Sequence, residues 1–380
     1  MELTEKDYAQ WLFNVPRIGN VSADKLLCSG LSCKDVYEMK TRELSRILDS
    51  GKAKSIEQSK FGWDFEREKK KLDDMGIRFI SRIESEFPEK LKNIPNPPFA
   101  IYVKGELPDP GKPSVSIIGA RMCSEYGRYN ARQFGRGLAL AGVQVISGMA
   151  RGIDGIAQAA ALDAGGRSFG IVGCGVDICY PEENRFIYDG LLTNGGIISE
   201  YPPGTMPEPN HFPVRNRIIS ALSDVVLVVE ARKKSGTQIT VDTALEQGKE
   251  VLAVPGRVTD RLSDGCNHII SQGAGIAVDV EDVLDRLRIK TPDLQSNDAQ
   301  ERVEDEEAGA FGKEEERSMS LEEIILEILD IIPVSTSYIM DELYRKGVEI
   351  TIPTLISTLM DMTSTGQIAQ NGAYYRRISA

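Results

Sequence analysis

From residue 113 to about residue 290 the chain repeats one rhythm. A short, nearly all-apolar, β-branched run is followed by a stretch with helical periodicity, and the pair then recurs. Strands are expected over 115–118, 143–147, 169–172, 197–199, 225–230 and 251–254, and helices over 126–141, 154–164, 182–193, 215–222 and 237–247. A strand, a crossover helix and another strand in the same sense build a parallel sheet covered by helices on both faces. The runs "VSIIG" and "DVVLVVE" lack the polar alternation of a half-exposed strand, as strands buried on both faces should. The fold class expected is therefore α/β.

At 380 residues the chain has room for two or three domains, and its flanks read differently from this core. Residues 1–75 read as a small helical domain. Within it "NVPRIGNVSADKLL" (14–27) has the spacing of a helix–hairpin–helix turn, whose amides hold phosphate in some proteins. Arg17 stands where that motif has its first glycine, which favours a turn that only packs. Residues 76–290 form the core domain, entered through the proline-bounded strand 99–103. Residues 291–318 are acidic and without apolar periodicity, and are expected to be a disordered linker. Residues 319–380 read as three helices and an Asn-Gly hairpin, the pattern of a winged helix. Its third helix has no Lys or Arg between residues 351 and 362, so protein contact is expected of it rather than groove reading.

The net charge of −12 at first argues against nucleic acid. The acid is concentrated at one end, however. Residues 291–318 carry −7 and residues 319–380 carry −4, which leaves −1 on the remaining 290 residues. A basic patch fits on such a body. Six cysteines and two histidines, His211 and His268, give little to build a zinc site with, so no metal is expected and the thiols read as free. The opening "MELTEKDYAQ" has no signal-peptide core, and no run reaches the roughly 18 apolar residues of a membrane span, so a cytoplasmic protein is expected.

In an open parallel sheet, ligands bind beyond the carboxyl ends of the strands. Five of the six such ends here offer cations: Arg121 after Gly119; Arg151 in "SGMARGIDG"; Arg215, Asn216 and Arg217 opening a helix; Arg232, Lys233 and Lys234 before Ser235-Gly236-Thr237; and Arg257. The third end offers Gly173 and Gly175, with Arg185 beyond. Glycine turns and helix N-termini supply amide donors for anions, and arginines supply forked donors that match phosphate. Asp154 is expected to cap the helix after the second strand, and Gly152 and Gly155 have either a ligand role or a packing role. A single strand of nucleic acid also needs stacking aromatics, for which Phe186, Tyr188, Tyr201 and Phe212 are the candidates. No G-x-G-x-x-G opens the first helix and no Walker A motif occurs, so neither a dinucleotide cofactor nor P-loop hydrolysis is expected.

Taken in order, "SIIGAR", "SGMARGIDGIAQAAALDAGG", "GCGVDICYP", "ISEYPPG", "FPVRNRIISALSD", "KSGTQITVDTALEQGKEVLAVPG" and "GCNHIISQGA" resemble the DNA-processing protein A (DprA, or Smf) family over roughly residues 80–285. That resemblance implies an extended Rossmann-like fold, homodimers and single-stranded DNA binding. It also implies a role in loading the RecA recombinase on incoming DNA and shielding that DNA from nucleases in natural transformation. On the family pattern Arg121, Ser147, Gly148, Asn216 and Arg217 would grip phosphates and a base, and Arg185 and Phe186 would supply a basic residue and an aromatic. The full candidate set is Gly119, Arg121, Ser147, Gly148, Arg151, Arg185, Phe186, Arg215, Asn216, Arg217, Lys233 and Gly236. The rival reading is an enzyme resembling Rossmann-like nucleotide phosphoribohydrolases, which carry G-G-x-G-T-x-x-E. Here "KKSGTQIT" matches Gly236-Thr237 but has Thr240 in place of the Glu, so its main acid–base group is missing. A protein-binding hub is a third reading and is compatible with DNA binding.

Overall fold

The computed structural model describes residues 2–289, 320–329, 334–346, 348, 350–372 and 374–378. The expected linker at 291–318 lies outside the described residues. The chain divides into two compact units, one of Met1–Cys123 with Asn130–Lys290 and the other of Ser124–Tyr129 with Thr291–Ala380.

The larger unit opens with six helices: α1 (Glu5–Phe13), α2 (Asn20–Leu27), α3 (Cys33–Glu38), α4 (Thr41–Leu44), α5 (Ser50–Gly62) and α6 (Phe65–Asp74). Thr4 and Ser32 start α1 and α3 with reciprocal capping boxes to Asp7 and Asp35. The expected helix–hairpin–helix turn packs against the sheet. Asn20, the first residue of α2, donates to Glu200 at 2.7 Å and accepts from the Phe99 amide at 3.0 Å. One apolar cluster runs from Trp11 and Leu26 in these helices to Phe79, Tyr102 and Ile197 beyond them, so residues 1–75 share a core with the sheet.

The chain then continues as β1 (Ile77–Ser81), α7 (Glu89–Lys92), β2 (Ala100–Gly105), β3 (Ser114–Gly119), α8 (Glu125–Leu140), β4 (Gln144–Ser147), α9 (Ile153–Asp163), β5 (Ser168–Ile171), α10 (Arg185–Thr193), β6 (Gly195–Ser199), α11 (His211–Leu222), β7 (Val225–Glu230), α12 (Gly236–Glu246), β8 (Glu250–Ala253), α13 (Asp264–Ser271), β9 (Gly275–Ile276) and α14 (Val280–Arg286). The sheet order is β1-β2-β6-β5-β4-β3-β7-β8-β9. From β6 to β9 every pair is parallel. At the other edge β2 joins β6 antiparallel, with Val103 opposite Ile198, and β1 joins β2 antiparallel, with Phe79 opposite Tyr102. The strands of the alternation from residue 113 on are thus parallel, as expected, in an extended Rossmann-like sheet to which β1 and β2 add an antiparallel edge. β2 is the proline-bounded strand expected at 99–103, whereas β1 precedes the alternation and is an edge strand with Arg78 exposed, so it carried no such signal.

Ile117, Val145, Phe169, Ile197, Leu227 and Leu252 are fully buried in the sheet. Each such side chain contributes about 1.5–3 kcal/mol relative to exposure. The order also has a consequence for binding. From β3 the chain winds outward through β4, β5 and β6, then returns past β3 to lay down β7, β8 and β9. The loops after β4 and β7 therefore diverge on either side of β3, leaving a crevice at its carboxyl end.

The second unit contains α15 (Leu321–Ile328), β10 (Val334–Ser335), α16 (Thr336–Arg345), α17 (Ile352–Ser364), β11 (Ile368–Asn371) and β12 (Tyr374–Arg377). Its antiparallel sheet has the order β10-β12-β11. Ile325, Ile339, Leu343, Leu355, Leu359, Ile368 and Tyr375 form its core. Gly372, in the expected Asn-Gly turn, has φ +63°.

Candidate nucleic-acid interface

The crevice at the end of β3 is a cavity of about 580 Å³. Five segments wall it: Ile118–Arg121 after β3, the β4–α9 turn, Tyr180 in the loop after β5, α11 from its entry at Pro209 to Ile219, and the start of α12 from Ser235 to Thr240. Because each crossover helix begins at this edge, helix N-termini converge here.

The geometry of the floor depends on two glycines. Gly152, the N-cap of α9, has φ +74°, and a Cβ there would press into the Ala120 carbonyl and lie 2.6 Å from that of Arg121. Only glycine lets the β4–α9 turn close over the β3–α8 turn. Of the two roles left open for Gly152, its placement is that of packing; so is that of Gly155, whose Cβ would meet the Ala150 carbonyl at 3.0 Å. Gly148 lies against two charged groups. Its amide donates to Asp154 Oδ2 at 3.1 Å and its carbonyl accepts from Arg215 Nη1 at 2.8 Å. Arg215 Nη1 also donates to the Ile171 carbonyl.

Asp154 and Arg215 are both buried, at 7% and 5% exposure. Burial pushes the Asp154 carboxyl up from the usual carboxylate range, against the opposing pull of Arg215, the Gly148 and Gly119 amides and Ser147. Burial pushes the Arg215 guanidinium down to about 10, with Asp154 acting the other way. Arg215 Nε has no hydrogen-bond partner.

Above this floor sits a cluster of rings and charge. Arg121 is exposed and its guanidinium lies 5.5 Å from the centre of the Phe212 ring. Arg215 lies 5.9 Å from the same ring, and Tyr180 stacks on it at 5.7 Å. Cations this close to an aromatic face are attracted to it, and the ring in turn offers stacking surface. Arg151 lines a smaller adjoining cavity together with Arg121, Gly148 and Tyr180. Its guanidinium is forked onto Glu183, with both contacts at 2.8 Å and both side chains exposed. An exposed pair of this kind is weak and screened by salt, so it yields readily to a competing phosphate.

The structure therefore brings Gly119, Arg121, Arg215, Asn216 and Gly236 to one cavity, with Gly148 and Arg151 beside it. The other candidates are placed elsewhere. Ser147 is fully buried and its hydroxyl donates to the Ile117 carbonyl at 2.6 Å, so it has no free face for a ligand. The Gly148 amide, expected to meet phosphate, is taken by Asp154. Asp154 does not cap α9, which has no side-chain cap. Arg217 turns away from the cavity and forks onto Glu200, with both contacts at 2.7 Å, while its Nε donates to the Asn96 carbonyl. Arg217 and Glu200 are 9% and 11% exposed, which makes this a structural pair rather than a phosphate grip. Arg185 lies over the Tyr188 ring at 5.2 Å and Phe186 is 65% exposed, both in the first turn of α10 and outside the cavity walls. Lys233 is exposed, and its amide is tied to Asp264.

Sequence reasoning missed Tyr180 as a wall residue and Asn184 as the side chain that ties the β4–α9 turn. Asn184 Nδ2 donates to the Met149 and Ala150 carbonyls at 3.0 and 3.2 Å. Tyr180 did carry a signal, since it lies between the third strand end and the basic residue of "YPEENRF". Of the four candidate aromatics only Phe212 lines the cavity. Tyr188 is buried and donates to the Val176 carbonyl, and Tyr201 stacks on His211.

Fold and cavity together define a class: a Rossmann-like α/β protein with a cationic, aromatic-walled crevice at its switch point, suited to phosphate-bearing ligands. Residues 78–288 match the family described as DNA recombination-mediator protein A, and the chain belongs to that family. It is 39% identical over 205 residues to the DNA processing protein DprA of Streptococcus pneumoniae, covering 54% of this chain and 72% of that one. It is 38% identical over 215 residues to DprA of Bacillus subtilis, covering 56% and 72%. The X-ray structure of the S. pneumoniae DprA superposes with a TM-score of 0.66 at 32% identity, over 75% of this chain and 98% of that one. A DNA processing protein A from Helicobacter pylori, solved to describe its single-stranded DNA binding mode, superposes with a TM-score of 0.50 at 30% identity, over 56% and 95%. No described helix is long and apolar enough to cross a membrane.

Proposed function

We propose that this protein binds single-stranded DNA at the carboxyl edge of its sheet and serves DNA processing in transformation and recombination. The observation that carries this reading is the position of Arg121. It stands exposed over Phe212 at the mouth of a cavity whose floor is the buried Arg215. Phosphate would meet the guanidinium and an unpaired base would stack on the exposed Tyr180 ring or the half-buried Phe212 ring. A duplex, with its bases already stacked, would gain only the phosphate contacts. The family relationship adds RecA loading, a homodimer and a cytoplasmic setting to the proposal, with the C-terminal unit acting as a winged helix that contacts protein.

The test is competition for a fluorescent oligothymidylate at moderate salt. Unlabelled single strand is expected to displace it at far lower concentration than duplex of the same length. Equal displacement would contradict the proposal. The protein is proposed to be non-catalytic, because Thr240 lines the cavity where the phosphoribohydrolase pattern requires a glutamate. Release of free base from nucleoside monophosphates would overturn that.

A further inference from the structure

We infer that the wall of the cavity formed by the start of α12 is a phosphate subsite, separate from the Arg121–Phe212 mouth, that holds the phosphate of one nucleotide. This inference deepens the DNA-binding reading and rests on it.

Two observations concern that wall and one the cavity floor beside it. Ser235 occupies the N-cap of α12, an 11-residue helix, yet its hydroxyl makes no capping bond. That Oγ is buried and has no hydrogen-bond partner at all. Serine is placed at N-caps because its oxygen normally satisfies an orphan amide. Here the hydroxyl is withheld, and the first amides of α12 have no side-chain cap. The second observation is independent of the helix. Arg215, 5% exposed and lining the same cavity, keeps Nε without a partner. A buried guanidinium N–H left unmatched is costly, so an acceptor brought to it is favoured. The third is space. A Cβ built on Gly236 meets nothing within 4 Å, although Gly236 lines the cavity. Unlike Gly152 it is not there for want of room. Its bare backbone lets an anion approach the helix amides, as phosphates do at other helix N-termini. Lys233 and Lys234, both exposed, stand immediately before the turn. The cavity of about 580 Å³ is large enough for a nucleotide but not for a folded polymer.

The test uses Gly236→Asp. The substitution has steric room, and a carboxylate in the first turn of a helix is favoured by the helix dipole, so the fold is retained while a phosphate is repelled. Thr237→Asp is the second variant, at the next residue of the same wall. Leu245→Asp adds the same charge on an exposed position of α12 about 13 Å further along the helix, beyond the screening length at physiological salt. Calorimetry is run with inorganic phosphate, thymidine monophosphate and thymidine. Anisotropy is run with oligothymidylate carrying either a 5′-phosphate or a 5′-hydroxyl.

The wild-type protein is expected to bind the monophosphate at least tenfold more tightly than thymidine. Gly236→Asp and Thr237→Asp are expected to lose at least tenfold, and Leu245→Asp to stay within twofold. A preference for the 5′-phosphorylated strand assigns the subsite to a strand end, and equal binding of the two strands assigns it to an internal phosphodiester. The inference is overturned if thymidine binds as well as its monophosphate, or if both wall variants bind the monophosphate like the wild type. If both wall variants keep strand affinity while Arg121→Ala loses it, this subsite falls and the DNA-binding reading stands. If Arg121→Ala and both wall variants all keep strand affinity, the DNA-binding reading falls with it.

Discussion

The two ends of the central strands offer a direct comparison. At the carboxyl end of β3 lies the cavity of about 580 Å³; at the amino ends of β3, β7 and β8 lies another of about 490 Å³, walled by Pro113, Asp224, Glu250, Asp285, Arg286 and Arg288. Volume hardly separates them, but hydrogen bonding does. At the amino end Asp224 accepts from Lys90 at 2.6 Å and from the Ser114 amide at 2.9 Å, and Arg286 faces Glu250 at 3.2 Å. Lys249 donates to the Ala221 and Ser223 carbonyls. At the carboxyl end Arg215 Nε and Ser235 Oγ are unmatched. At the amino end Asp224 and Arg286 are matched within the protein; at the carboxyl end the protein leaves two buried polar atoms unmatched. Unmatched buried polar atoms, more than size, make the carboxyl-end cavity the candidate site.

Substitutions can break or sharpen this contrast. The largest effect is expected from Arg217→Ala, a structural arginine close in sequence to the site. Removing it leaves the nearly buried Glu200 carboxylate without its ionic partner and held by Asn20 alone, at a cost of about 3 kcal/mol in denaturant unfolding. A stable Arg217→Ala protein with lost strand affinity would return this residue to the binding site. Next is Gly152→Ala, where positive φ and backbone collision together predict a loss of about 2–4 kcal/mol, read as a lowered melting temperature. Arg121→Ala is expected to leave unfolding within about 0.5 kcal/mol of the wild type, as an exposed side chain should. Asp224→Asn, at the amino end, is expected to cost about 0.5–1 kcal/mol, since the Lys90 pair is partly exposed, and to leave DNA affinity unchanged. Its pH dependence has a defined sign. Burial raises the Asp224 carboxyl, but Lys90 and Ser114 outweigh burial and hold it below its ordinary 3.8. The stabilisation is therefore complete above 3.8 and is lost as pH falls through the lower folded value. An acid unfolding midpoint unchanged by Asp224→Asn would contradict this.

Much of the scaffold was legible in the sequence because burial on both faces leaves long apolar runs. β3 and β7 are the clearest cases. β9, two residues long, and β1, an edge strand with a charged residue, bury too little to leave such a run. Within the site, Arg121, Arg215, Asn216 and Gly236 were legible because they directly follow strands or open helices at the binding edge. Arg217 joins them on the family pattern and on its place in the helix-opening run Arg215-Asn216-Arg217. Successive helical residues turn by about 100°, so Arg215 and Arg217 stand about 200° apart on α11, and both could not face one ligand. That constraint was present in the spacing. The Glu200 that receives Arg217 was not, because it comes from the end of a different strand and only the three-dimensional fold brings it near. For the same reason Asp154 looked like a helix cap, whereas burial beside Arg215 makes it the anchor of the Gly148 amide.

The most direct measurement is strand affinity as a function of salt for the wild-type protein and Arg121→Ala, by anisotropy with a fluorescent oligothymidylate. The account predicts that Arg121→Ala binds about tenfold more weakly or worse. It also predicts that its slope of log affinity against log salt is shallower by about 0.7, the signature of one lost phosphate contact to a single strand. Affinity and slope both equal to those of the wild type would contradict it.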